Sequence, residues 1–420
     1  MSRPLPRIGF VGSMNAMPMA YALKFRRDGY DVRYVVESTP DDVLMRPEHQ
    51  YAGEVGYPYP PWIVEIPWVR DLMHHATLPW SNREVLQAMA DRDVVFVNDY
   101  GIALTPWLPR TALRVCLSSG SDIDMLCRWQ IARSFAAGVR RKWLYPVRLA
   151  LELWRTRLQR RGLERCDIVS YFPRGLNPLG DEVIDHLAQQ PRPPELIERY
   201  DANFQAVGAR RVAIPRRALR KILVPVRVHL LPPEGGEFEY KGNDLILRAL
   251  ARYRQRNSEV EFHLFEKGPP ADLALARRII DELGLGPAIV WHRPTNLPGL
   301  LQLYEDGDVV VDQVGTHWMG GVGFYALYMG RPVIANARLD VFGPLWGTDP
   351  PILNASTVDE IHDHLVRCED FEFRARLADA AHAFARDVLD TEAVYRRLRD
   401  AVLEQWGART DDPLRKLSPQ

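Results

Sequence analysis

The sequence predicts an α/β protein of two domains, each built around a mostly parallel sheet. Short apolar runs alternate with stretches of helical spacing along most of the chain, the pattern of strands buried on both faces by helices. That alternation starts twice, at Arg7–Val11 and again at Ile222–Val226, on either side of a break. Between Val309 and Asn336 the chain reads as one complete strand–loop–helix–strand unit.

In that unit Val309–Val311 is a buried strand, and Gly315, Gly320 and Gly321 open a loop. Val322, Tyr325, Ala326 and Met329 follow at helical spacing, Gly330 stands at the C-cap position, and Val333–Ala335 is the next strand. A helix N-terminus entered through glycines offers unpaired N–H groups and a positive dipole end to an anion. The same glycines would equally serve a tight turn alone.

The 420 residues suffice for two domains of ordinary size. With 46% hydrophobic and 26% charged residues the composition is that of a globular protein. Lys+Arg and Asp+Glu both number 54, so net charge gives no support to nucleic-acid binding. Four cysteines at 116, 127, 166 and 368 show neither metal-ligand spacing nor a disulfide framework, which fits a reducing compartment. The chain enters its first strand without an apolar leader and has no run of about 18 apolar residues, so a cytoplasmic location is expected, at most peripheral to a membrane.

In the first half, the Arg7–Val11 strand runs into a glycine turn at Gly12, a helix over Met19–Arg27 and a strand over Val32–Val36. Gly9 and Gly12 do not complete a dinucleotide fingerprint. Asp41–Trp68 is proline-rich and expected to be loop. Strands follow at Val94–Val97, Leu113–Leu117 and Asp167–Tyr171. Between the last two, residues 128–165 are rich in arginine, with Trp129, Trp143 and Trp154 interleaved. Such a segment can lie on an anionic bilayer, or be a solvated helix face with its tryptophans turned inward.

The run Gln189–Pro194 breaks the pattern, and the domain boundary is placed so that residues 1–215 form the first domain and 216–385 the second. The second contains a strand at Ile222–Val226, Lys241-Gly242 before a helix over Asp244–Arg254, and a strand at Val260–Phe265. A helix over Ala271–Leu283, a strand at Ala288–Val290 and a helix over Pro298–Tyr304 lead to the glycine unit. Thr357–Arg367 and Phe371–Asp387 are helical, and residues 386–420 hold a last amphipathic helix, Glu392–Trp406.

A strand ending at Arg227, the Lys241-Gly242 pair before DLILRAL, then LFEKGPP, LYEDGDVVVD, the glycine loop and ALYMGRPVIAN occur in an order that resembles the C-terminal half of GT-B glycosyltransferases, in particular the retaining family 4. The resemblance covers Leu223–Asn336 best. It implies two Rossmann-like domains facing across a cleft, with a nucleotide-sugar donor on the second, a hydroxyl acceptor on the first, and the last helix packing back on the first. It implies a retaining transfer without a protein nucleophile, and no metal or other cofactor, because cations and a helix terminus neutralise the diphosphate. Arg227, Lys241 and His317 are then the candidate catalytic residues. Glu266, Arg293, Gly320, Gly321 and Tyr325 are the donor-binding candidates, and Gly12, Asn15, Ser119 and Asp122 the acceptor-side ones. For Asp122 a helix N-cap is the competing role.

The sequence departs from that family at two places. Where the family carries two glutamates separated by seven residues, this chain has His317 and Tyr325, and Tyr325 offers a ribose one hydrogen bond where a carboxylate offers two. After the fourth strand, where a histidine is common, it has Ser118-Ser119-Gly120. A non-catalytic subunit or binding protein of the same fold is therefore the alternative expectation.

Overall fold

The computed structural model describes residues 4–37, 39, 42–66, 79–138, 142–200, 211–230, 240–315, 318–347 and 349–411. The chain divides into two compact units, one comprising 1–206 with 391–420 and the other 207–390. These junctions stand beside the expected ones at 215/216 and 385/386.

The first unit is a seven-stranded sheet in the order β3-β2-β1-β4-β5-β6-β7, formed by Ile8–Val11, Val32–Val36, Ile63–Glu65, Val94–Val97, Leu113–Leu117, Ile168–Tyr171 and Glu195–Glu198, numbered β1 to β7 along the chain. Every pairing described in it is parallel. β1 and β4 are adjacent but not consecutive, so the direction of winding reverses between them. Strands β1, β4 and β6 are buried along their whole length, which explains why they read as continuous apolar runs. Phe10 stacks on Phe96 across β1 and β4 with ring centroids 4.7 Å apart.

Two edge strands differ from expectation. β3 lies inside the segment expected to be loop, and β7 follows directly on the proline-rich break. β7 buries only Ile197, so it carries no apolar run to betray it. A short helix, Pro47–Gln50, also falls in the expected loop.

The final helix, Thr391–Asp411, belongs to this first unit. Val394, Tyr395, Leu398 and Val402 join its core. Tyr395 meets Phe25 edge-on at 5.0 Å and donates to Asp28 at 2.7 Å, while Lys24 pairs with Glu392 at 2.8 Å.

The second unit is a six-stranded parallel sheet in the order β10-β9-β8-β11-β12-β13. Its strands are Lys221–Val224, Glu261–Phe265, Ile289–His292, Val309–Val311, Val333–Ala335 and Leu353–Asn354. β8 ends earlier than the expected Ile222–Val226, and Pro225 follows it. Counted within the unit this is the 3-2-1-4-5-6 order of dinucleotide-binding folds, with the winding reversing between β8 and β11. The helix Gly321–Tyr328 ends as expected: Gly330 has φ +74°, its N–H reaches Leu327 O, and the Arg331 N–H reaches Ala326 O.

Candidate functional site

In an open parallel sheet the loops at the carboxyl ends of the strands converge where the winding reverses. In the second unit that point lies between β8 and β11, and several of the predicted residues gather there. Arg227 follows β8 and is exposed. Lys241 precedes the helix Asn243–Arg256, and its carbonyl accepts the N–H groups of Val314 (3.1 Å) and Gly315 (3.2 Å), which follow β11. Gly242 sits at φ +77° with no room for a Cβ, which would come within 2.6 Å of Val314. The Lys241 loop and the glycine loop are thus bonded to each other directly.

The same edge holds a residue that sequence reasoning did not single out. Lys267 follows β9, and its carbonyl accepts the Val228 N–H at 2.7 Å, beside Arg227. Burial, with the Arg227 charge adding to it, lowers the Lys267 pKa to about 8. Two neighbouring cations, one of them half-buried, provide an electrostatic setting for an anion. The LFEKGPP string contained Lys267, but its burial depends on the neighbouring strand and leaves no local signature.

The glycine loop is organised differently from expectation. Asp312, at the end of β11, is 1% exposed, and its Oδ2 accepts the N–H groups of Gly320 (2.7 Å) and Gly323 (3.1 Å). The donors expected of Gly320 at this helix N-terminus are therefore taken up by the protein's own carboxylate. Gly321 is exposed, and among the described residues its N–H makes no hydrogen bond. Burial raises the Asp312 pKa to about 6, against the lowering effect of the N–H groups and of Lys241.

The remaining donor candidates divide. Glu266 and Arg293 follow β9 and β10 on the same edge. Glu266 is engaged with Arg277, and Arg293 is exposed. Tyr325 lies on the helix Gly321–Tyr328, with its phenol raised to about 12 by burial, so it stays a neutral hydrogen-bonding group. Trp318 packs edge-on to Phe324 at 5.0 Å and against Phe342 at 4.9 Å. His317 lies outside the described residues.

In the first unit the reversal point lies between β1 and β4. Gly12 has φ +93°, and a Cβ there would meet Asn98 O at 2.1 Å. Asn98 in turn accepts the Met14 N–H at 3.0 Å and donates to Leu117 O at 2.5 Å, joining the loops after β1, β4 and β5. Asn15 is exposed at φ +53° on this edge, and Ser119 is half-buried.

Asp122 has a different place from the acceptor-side role expected of it. It is 0% exposed, and its carboxylate accepts from Ser118 Oγ (2.7 Å), the N–H groups of Asp99 (3.2 Å), Ser119 (3.0 Å) and Gly120 (3.1 Å), and Asn98 Nδ2 (3.4 Å). It closes the loop from inside; the N-cap of the short helix Ser121–Asp124 is Gly120, so Asp122 ties the loops after β4 and β5 together without being the helix cap. Arg199, 5% exposed after β7, completes the tie by donating to Ser118 O at 2.6 Å.

Beside it stands Asp99, at φ +51° and 8% exposed, whose Oδ1 has no hydrogen-bond partner among the described residues. Burial first, then the Asp122 charge, raise its pKa to about 7. Glu37, after β2, is likewise raised to about 7 by burial. A non-glycine residue held in the left-handed region is strained, and such strain clusters at functional positions.

No family model and no protein of described function matches the sequence. Solved structures do match the fold. Sucrose-phosphate synthase from Thermosynechococcus elongatus superposes with a TM-score of 0.61 at 14% identity, over 96% of this chain and 100% of that one. HepE from Anabaena, solved in complex with UDP and glucose, gives 0.61 at 14% identity over 95% and 99%. The lipopolysaccharide outer core galactosyltransferase WaaB gives 0.51 at 12% identity over 95% and 99%. The chain therefore has the GT-B fold, the two-domain α/β class of these glycosyltransferases. At these identities the likeness concerns the fold.

Proposed function

We propose that the protein is a glycosyltransferase that takes a sugar from a nucleoside-diphosphate donor held by the second unit and passes it to a hydroxyl acceptor held by the first. The observation that carries this reading is the pairing of Arg227 with the half-buried Lys267 at the reversal point of the second sheet, next to Lys241 and the glycine loop. A diphosphate is a ligand whose charge would relieve the repulsion between these two cations. As the bond to the sugar breaks, negative charge grows on the departing phosphate, and fixed cations stabilise it without reorganising. Arg227 and Lys241 are assigned to that role, with Lys267 added.

The transfer is read as retaining and metal-independent, by resemblance to family 4. His317 and Tyr325 stand at the family's glutamate positions. Tyr325 would give a ribose one hydrogen bond, and His317 would reach a sugar or phosphate oxygen. Glu266 and Arg293 line the outer strands of the same edge for the base and ribose. Gly12, Asn15 and Ser119 face the acceptor. The location is read as cytoplasmic, a reading supported by four buried, unbridged cysteines; among the described residues no helix is long and apolar enough to cross a membrane.

A second reading, a nucleotide-binding protein without turnover, is favoured by Asp312 occupying the helix terminus that would hold phosphate. The two are separated by incubating the protein with a panel of nucleotide sugars and measuring release of the nucleoside diphosphate. Turnover that Lys241→Ala reduces at least tenfold supports the transferase. Nucleotide binding without turnover supports the second reading.

A further inference from the structure

The helix Tyr145–Leu163 buries polar side chains beside Leu158 and Leu163 and exposes apolar ones in its first half. Its inner face carries Glu152 (2% exposed), Arg155 (6%) and Gln159 (0%), whereas its outer face carries Val147 (55%) and Trp154 (38%). The inner polar groups are largely engaged, although Glu152 Oε2 and Gln159 Oε1 make no hydrogen bond among the described residues. Glu152 pairs with Arg148 at 2.5 Å and with Arg155, and Arg155 stacks on Tyr100 at 4.8 Å. Gln159 Nε2 donates to Asp99 O (2.9 Å) and Asp122 O (3.0 Å). Buried polar groups with these partners fix the helix rotation, and Gly162 fixes it again, since a Cβ there would meet Ile102 O at 1.9 Å.

The outer face is consequently settled. Val147, Ala150, Trp154, Arg157 and Arg161 recur every three or four residues and are all exposed, so they form one stripe. Its first half is apolar and its second half cationic. Trp143, 72% exposed, and Lys142 precede it in the turn entering the helix. On the neighbouring helix Trp129–Ala137, Arg133 is exposed, while Trp129 lines a separate pocket with Arg160, Glu182 and Asp185. Acidic residues from 128 to 165 are Glu152, which is buried and paired, and Glu164.

We infer that this stripe seats the first unit on an anionic lipid bilayer, with Trp143, Val147 and Trp154 at the acyl boundary and Lys142, Arg157 and Arg161 against the headgroups. Water is a poor solvent for that apolar half, and polar residues have been drawn inward to leave it there. Aromatic side chains with cations beside them match the boundary between acyl chains and charged headgroups in both chemistry and sign. The inner face of the same helix holds the loops of Asp99 and Asp122 through Gln159. The bilayer contact is thereby one helix diameter from the acceptor-side edge.

The test is co-sedimentation of the full chain with phosphatidylcholine vesicles and with vesicles also containing phosphatidylglycerol, alongside tryptophan fluorescence. Binding to the anionic vesicles with a blue shift is expected, weakened by salt. Arg157→Glu with Arg161→Glu should weaken it about tenfold or more, and Trp143→Ser with Trp154→Ser should abolish the blue shift. Both variants should keep the wild-type circular dichroism and melting temperature. The inference is overturned by a wild type that binds neither vesicle, by equal binding to both, or by binding that both variants retain. It is overturned too if the wild type self-associates and the tryptophan variant does not, which would assign the stripe to a second copy of the chain. None of these outcomes depends on nucleotide binding.

Discussion

The Asp312 carboxylate accepts the Gly320 N–H at 2.7 Å, so the positive end of the helix Gly321–Tyr328 is met by an anion of the protein itself. The same oxygen accepts Gly323 N–H, which is buried. Asp312→Ala leaves these donors without an acceptor and should lower stability by about 1–3 kcal/mol. Asp312→Asn keeps one acceptor oxygen and should fall between. Urea unfolding measures both; a loss of less than about 0.5 kcal/mol for the alanine variant would mean that the loop does not depend on this contact.

Lys267 gives the second unit a pH signature. Its pKa is lowered to about 8 by burial and by Arg227, so it is charged below that pH and neutral above. A diphosphate binds better to the charged form. Affinity for a nucleoside diphosphate should therefore fall as pH rises from 7 to 9. Lys267→Met should bind roughly 10- to 100-fold more weakly at pH 7, the loss of one charge-assisted contact, and show a flat profile. Calorimetric titration at several pH values checks it. A steep profile persisting in the variant would assign the titration to another group.

In the first unit the pKa shifts run in the opposite direction. Asp99 and Glu37 are raised to about 7 in the folded protein, above the ordinary carboxylate range they have when unfolded. Between those pH values the folded state binds more protons, so stability falls as pH rises toward 7. The penalty is complete above about 7 and absent below the unfolded pKa. Asp99 feels the charges of Asp122, Glu37 and Arg155, and among the described residues its Oδ1 has no hydrogen-bond partner. Melting temperature against pH should thus decline less between pH 5 and 8 in Asp99→Asn than in the wild type. Parallel curves would contradict the assignment.

Much of this was legible in the sequence, and what was hidden has physical reasons. β1, β4 and β11 read as strands because burial on both faces made them apolar throughout, and β8 because it is apolar after Lys221. Gly330 read as a cap because only a left-handed residue ends a helix in that way. β3 and β7 were missed because edge strands need little apolar surface. Asp122 and Asp312 were misread or passed over because a carboxylate's partners are backbone groups brought by other strands. Lys267 became a candidate only once β8 and β9 were side by side.

Two glycines separate sterics from backbone conformation. Gly12 and Gly29 both have positive φ, +93° and +87°. A Cβ at Gly12 would meet Asn98 O at 2.1 Å, whereas nothing lies within 4 Å at Gly29. Gly29→Ala should cost about 1–2 kcal/mol, the left-handed penalty alone. Gly12→Ala should cost that plus the displacement of the β4 loop, about 1–3 kcal/mol more. Equal losses on thermal unfolding would show that the β1 and β4 loops are not held together as described.

The central claim is that the carboxyl edge of the second sheet binds a nucleoside diphosphate. Thermal unfolding of the purified chain with UDP, GDP, ADP, CDP and dTDP in turn tests it most directly. A ligand at a hundredfold its dissociation constant adds about 2.7 kcal/mol of stability, a rise of a few degrees in a chain of this size. The account predicts that one of them gives this shift in the wild type and that Lys267→Met and Lys241→Ala lose it. A well-folded wild type that none of the five stabilises would contradict it.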